Sequence, residues 1–207
     1  MIGMVYLSTG DRAHQLHAAR ILPSTQTASR NPESVSSRVV LEPARSRAVL
    51  VGADRYEEFP NLPGAMEQVL VLARALGQAQ DSGPFDDANV SIFWNQHSPE
   101  PLVRSLEDLF QRAEHTLLVH FTGHLLETPN DAFLAFPNSR GDRPAATALS
   151  VRRLVSLMED SPARFKVLIL DAYLADADRV WSLLNPRSMR GYWSLLTAPP
   201  RASSGRG

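Results

Sequence analysis

The chain alternates short, almost wholly apolar runs with stretches in which apolar residues recur every three or four positions. The runs are Arg47 to Gly52 (RAVLVG), Val90 to Trp94 (VSIFW), Thr116 to Phe121 (TLLVHF), Phe165 to Leu170 (FKVLIL) and Tyr192 to Thr197 (YWSLLT). Strands read this way when both faces of a sheet are withdrawn from water, because no polar face is then needed. Between the first two runs, Met66, Val69, Leu70, Ala73 and Leu76 share one face of a predicted helix, which follows an LPGA turn at Leu62 to Ala65. A second helix opens at Ser98, Pro99 and Glu100, with Val103, Leu106 and Phe110 on one face. A third is predicted over Val151 to Glu159 with Ser150 as its N-cap, and a last one near Ala177 to Leu184. A short hairpin is expected around Ala132 to Phe136.

Alternating strands and helices, with strands that lack a polar face, predict an α/β fold in which right-handed crossovers link a mostly parallel sheet flanked by helices. In such sheets functional groups gather beyond the carboxyl ends of the strands. Two segments therefore matter most. Thr122, Gly123, His124 and Leu125 follow one strand, and Asp171, Ala172, Tyr173 and Leu174 follow the next. If these strands are neighbours, His124 faces residues 171 to 173 across one crevice, the relation that a base and a nucleophile require.

Composition narrows the options. With 207 residues, 43% of them hydrophobic, the chain suits one domain with a sizeable core. The folded unit is predicted over residues 47–198. Residues 1–46 read as a largely disordered extension, apart from a short helical pattern at Ala13 to Leu22, and residues 199–207 as a disordered tail. A net charge of -1, and no basic run interleaved with aromatics, argue against a nucleic-acid partner. The turn after the first strand, GADRYEEFPNLPGA, is long and acidic and carries neither Gly-x-Gly-x-x-Gly nor a P-loop lysine, so no nucleotide cofactor is expected. Zero cysteines exclude disulfides, thiolate metal sites and thiol nucleophiles together. His120 and His124 have a spacing that could suit a metal, but His120 falls mid-strand with no carboxylate at matching spacing. It reads as a core histidine, and no metal is expected. His97 and His115 flank strand ends and are expected to be solvated. No apolar stretch is long enough to span a bilayer, and no export signal opens the chain, so a cytoplasmic protein without a membrane partner is expected.

Five segments, in order, carry a resemblance. They are Gly52, Asp54 and Tyr56 after the first strand; the LPGA turn at Leu62 to Ala65; Gly123 and His124; DRPAATALS from Asp142 to Ser150; and SPAR, from Ser161 to Arg164, before the strand that closes in Leu170 and Asp171. Together they resemble the caspase and metacaspase group, above all its small bacterial members. The resemblance implies a caspase-like three-layer α/β/α sandwich. It makes His124 the general base, Gly123 part of the oxyanion turn, and Asp171 the acid in a pocket for a basic P1 side chain, though the same Asp could cap the following helix.

The family's nucleophilic cysteine stands two residues after that Asp, which falls on Tyr173, or on Ala172 if one residue is deleted. Neither attacks a carbonyl: a phenol has a pKa near 10 behind a bulky ring, and a methyl has no functional group. Leu125 replaces the second glycine of Gly-His-Gly, and Leu174 and Ala175 replace the small Ser-Gly pair after the cysteine. A pseudo-peptidase is expected, binding or scaffolding a protein or peptide that contains Lys or Arg, in a bacterial signalling or defence assembly. The chain ends soon after its fifth strand where relatives continue to a sixth, so that sheet edge is expected to be open to a homo- or hetero-oligomeric partner. Two alternatives stay open. One is a cysteine-type endopeptidase with basic P1 preference, seen here in an inactivated or altered form. The other is a hydrolase with a different nucleophile, Thr122 or Ser139 being the nearest hydroxyls, although no Gly-x-Ser-x-Gly elbow is present.

Overall fold

The computed structural model describes residues 3–6, 42–77, 84–172 and 192–197, the first and last of these segments as backbone strands. In chain order the elements are β1 (Gly3–Tyr6), β2 (Arg47–Gly52), α1 (Ala65–Gly77), β3 (Val90–Trp94), α2 (Pro99–Gln111), β4 (Thr116–Thr122), β5 (Leu125–Glu127), β6 (Ala132–Leu134), α3 (Pro144–Thr147), β7 (Leu149–Ser150), α4 (Val151–Glu159), β8 (Phe165–Asp171) and β9 (Tyr192–Thr197). Six strands form one sheet in the order β1-β9-β8-β4-β2-β3, and every neighbouring pair is parallel. The predicted α/β class and its parallel sheet are present. A smaller antiparallel sheet, β5-β6-β7, branches off after β4.

Burial explains why the strands read as continuous apolar runs. Five of six residues in β2 and six of seven in β4 are buried, so a two-residue alternation has no reason to exist there. The amphipathic helices supply the rest of the core. From α2 come Leu102, Val103, Leu106 and Phe110, and from α4 come Leu154, Val155 and Met158; they meet Val49, Val51, Leu117, Val119, Phe121, Leu168 and Leu170 of the sheet. The ends of these helices are tied locally. The Ser150 hydroxyl accepts the Arg153 N–H at 3.1 Å, the cap that the sequence predicts, and Ser161 Oγ donates to the Phe110 carbonyl at 2.7 Å. Ser98 stands at the N-cap of α2, but its hydroxyl makes no cap bond; Pro99 at the first helical position has no N–H to satisfy.

Several expectations need correction. Leu70 is 37% exposed, and the inward stripe of α1 runs instead through Ala65 and Val69, with Leu72, Ala73 and Leu76 half-buried. The helix is apolar on most sides (AMEQVLVLARALG), so spacing alone did not select its inner face. His115 is buried, not solvated. Its ring lies 5.1 Å from that of Phe165, its Nδ1 is 3.0 Å from Thr116 Oγ1, and its backbone N–H donates to Arg45. A helical turn at Pro43–Arg45 covers it, and Ser46 beside that turn has no exposed surface. The folded unit thus begins before residue 47. It also includes Gly3–Tyr6, which pairs with β9 from Gly3 opposite Ser194 to Tyr6 opposite Thr197. The β9 edge, expected to be open to a partner, is occupied by this chain's own β1; four residues isolated by a long polar stretch carry no period from which to predict a strand. The hairpin joins β5 to β6, pairing Leu125 with Leu134, and so starts earlier than residue 132. The helical patterns at 13–22 and 177–184, and the tail 199–207, lie outside the described residues.

His120 is 6% exposed in mid-β4, opposite Leu50 of β2 and Ile169 of β8. Burial lowers its pKa, and the charge of Asp171 opposes that shift. The folded chain then binds this proton less well than the unfolded chain, so stability falls as pH drops through the ordinary histidine value of about 6.5. Urea unfolding should show that acid-side loss in the native chain and a flatter profile in His120→Gln; parallel profiles would contradict it. Phe110→Ala, which empties a fully buried site, should lower the unfolding free energy by about 3–5 kcal/mol, and a loss under about 1 kcal/mol would contradict the core described.

Candidate functional site

The two strand ends that the sequence singles out are side by side. β4 and β8 are neighbours in register, with Thr122 opposite Asp171. The Thr122 hydroxyl donates to Asp171 Oδ2 at 3.3 Å, and the Gly123 N–H reaches the Asp171 carbonyl at 3.4 Å. On the other flank of β4, a Cβ at Gly52 would run into the Trp94 ring and stand 2.8 Å from the Thr122 carbonyl. Glycine there lets the ends of β2, β3 and β4 close together.

Over this edge lies the acidic turn that follows β2. Asn95, at φ 49°, adopts the left-handed conformation that Asn tolerates. It grips Asp54 twice: its Nδ2 donates to Asp54 Oδ1 at 2.8 Å and its Oδ1 accepts the Asp54 N–H at 3.1 Å. The Leu62 N–H closes the turn on the Asp54 carbonyl at 2.8 Å. So fixed, the turn presents Tyr56, Phe59 and Pro60 to His124. The Tyr56 ring stands edge-on to the imidazole at 4.6 Å and Phe59 lies at 5.7 Å. The Tyr56 hydroxyl donates to Ala53 at 2.9 Å and accepts the His124 N–H at 3.2 Å. That approach requires Gly123, since a Cβ there would lie 2.6 Å from the hydroxyl.

His124 Nε2 is 2.7 Å from the Pro60 carbonyl oxygen. A carbonyl only accepts, so Nε2 carries the proton and, in the neutral ring, Nδ1 carries the lone pair. This is how a general base is oriented: one nitrogen anchored, the other basic.

Among the described residues, the groups that could complete an acyl-transfer site are engaged elsewhere. The Gly123 N–H is engaged by Asp171 and the His124 N–H by Tyr56, so neither is free for an oxyanion. Leu125 belongs to β5 and pairs with Leu134. Ala172 is 5% exposed and its methyl packs in the hydrophobic core, so its side chain is directed into the core. Tyr173, and the helix that Asp171 could cap, lie outside the described residues. Thr122 is buried and bonded to Asp171. Ser139 is wholly buried, donating to Thr147 at 2.8 Å and accepting the Phe136 N–H at 2.8 Å. Neither hydroxyl is directed to His124. The sequence drew attention to His124, Gly123 and Asp171 but missed the clasp of Phe59, Pro60 and Asn95. Two aromatic residues in an otherwise acidic turn were its only signal.

Among the described residues no three His, Asp or Glu side chains converge as a metal would require, and no helix is long and apolar enough to cross a membrane. Comparison with protein-family models and with curated proteins gives no match to this chain. What bears on function is therefore the geometry above and the order of the segments in the sequence.

Burial pushes the Tyr56 phenol up to about 12; the bond from the His124 N–H works against this and the charge of Asp54 with it. A neutral phenol held in the folded state stabilises it fully below about pH 10, the unfolded value, and that contribution is lost as pH rises towards the folded value. Absorbance titration of the four tyrosines should show one ionising late, and Tyr56→Phe should remove that step. Four superimposable ionisations would contradict the contact.

Proposed function

We propose that the chain is a caspase-like pseudo-peptidase that binds or scaffolds a protein or peptide without cleaving it. One observation carries this reading. An imidazole held as a base by Pro60 stands beside a strand end in a chain with no thiol, where no hydroxyl among the described residues is directed to it, at a turn whose N–H groups are already bonded. The order of the five sequence segments supports the family, and the strand order around β4 and β8 suits it. Packing of α2 and α4 in one core cluster, with α1 against β2 and β3 outside it, supports a three-layer sandwich, since a crossover β2-α1-β3 of the usual right hand takes α1 to the opposite face.

The ligand proposed is a Lys- or Arg-containing peptide in a bacterial, cytoplasmic assembly. Asp171 supports that choice: it is a half-buried carboxylate at the end of β8 whose described side-chain bond is one from a neutral hydroxyl, and a carboxylate has lone pairs for a cationic donor besides. The hydroxyl-nucleophile alternative is disfavoured by the engagement of Thr122 and Ser139.

The test restores a thiol. Ala172→Cys and Tyr173→Cys are assayed on fluorogenic peptides with Lys or Arg at P1, and calorimetry follows binding of the same peptides to the native sequence. The expected result is no cleavage above that of the same variants carrying His124→Ala, with binding that weakens about tenfold or more in Asp171→Asn, the loss of one charge-assisted hydrogen bond. Rapid His124-dependent cleavage by either cysteine variant would replace this reading with that of a peptidase altered at its nucleophile alone.

A further inference from the structure

Register puts four strand ends in one row. Trp94 of β3 pairs with Gly52 of β2, Gly52 with Thr122 of β4, and Thr122 with Asp171 of β8. Partners in a parallel ladder turn their side chains to one face, here the face opposite Val51, Phe121 and Leu170, which enter the core with α2 and α4. Glycine leaves a gap in the row, and the indole fills it. A Cβ at Gly52 would meet Trp94 Cζ3 at 2.4 Å and Thr122 Cγ2 at 2.8 Å, so the ring edge and the threonine methyl are neighbours. The Thr122 hydroxyl carries the row on to Asp171 Oδ2 at 3.3 Å. Trp94 and Asp171 are each half-buried, one on either side of the buried Thr122.

Beside this row lies an unmet hydrogen bond. His120, two residues before Thr122 and so on the same face, is 6% exposed, and its Nδ1 is buried with no hydrogen-bond partner among the described residues. Buried polar atoms are rarely left so. Asp171 is near enough for its charge to oppose the burial that disfavours the protonated ring.

We infer, on the reading that Asp171 takes the cation of a bound peptide, that this row selects arginine over lysine, with Trp94 as the residue that discriminates. A guanidinium is planar and weakly hydrated, with five N–H donors. Two of them suit the Asp171 carboxylate side by side, the flat face suits the indole, and an inner N–H can meet the lone pair of His120 Nδ1. Among the described residues the Thr122 side chain alone stands between the indole edge and the carboxylate, a width that one guanidinium covers. A lysine ammonium is a compact, strongly hydrated charge. It pairs with Asp171 but has no plane to lay on the ring.

Calorimetry with acetyl-Gly-Gly-Arg-Gly-amide and its Lys counterpart tests this. The native chain should bind the Arg peptide about tenfold or more tighter, with a change in tryptophan emission. Trp94→Leu, with unchanged far-ultraviolet dichroism, should bring the preference below about threefold and abolish that change. Trp94→Phe keeps a smaller ring and should fall between, which serves if leucine disturbs the fold. Asp171→Asn should weaken both peptides. Equal binding of the two by the native chain, or a preference untouched by the folded variants at 94, would overturn the selection and leave the Asp171 reading standing. No binding of either peptide, or binding indifferent to Asp171→Asn, would overturn both.

Discussion

Register between β4 and β8 governs this molecule's chemistry. Parallel pairing of Thr122 with Asp171 makes Gly123, His124 and Ala172 leave the sheet at the same end, and the Gly123 N–H and the Thr122 hydroxyl pin that arrangement to Asp171. A slip of one residue would turn each β8 side chain to the opposite face, burying the Asp171 carboxylate and expelling Leu168 and Leu170 from the core. Burial of these leucines against α2 and α4 and the juxtaposition of the two strand ends are thus consequences of one alignment.

The turn between β2 and α1 depends on that edge and converts it into something chemically specific. Asn95 fixes Asp54, Asp54 fixes the turn, and the turn delivers Tyr56, Phe59 and the Pro60 carbonyl to His124. Two effects result that pull in opposite directions. The imidazole is oriented as a base, while the backbone donors that would stabilise an oxyanion are bonded within the protein. Under the proposed reading, the clasp serves recognition or rigidity without serving turnover.

Much of the frame was legible from residues alone, since apolar runs between amphipathic helices leave few alternatives to a parallel sheet; β2, β3 and α4 fall where the pattern puts them, and Ser150 caps α4. Three things were not legible, each for a physical reason. β1 is too short to carry a period and earns its place through pairing with residues far along the chain. The inner face of α1 was ambiguous because nearly every side of that helix is apolar. The clasp over His124 rests on a backbone carbonyl at Pro60 and on an Asn in a left-handed conformation, and neither leaves a mark in residue type. Residue type likewise does not mark β9 as the partner of β1.

Under the proposed reading, His124 has no attacking group to serve. Intact-mass analysis after exposure to broad acylating, phosphonylating and alkylating activity probes, on the native chain and on His124→Ala, tests it most directly. Equal and negligible labelling of the two is expected. An adduct on Thr122, Ser139 or any other side chain that forms in the native chain and vanishes in His124→Ala would contradict it.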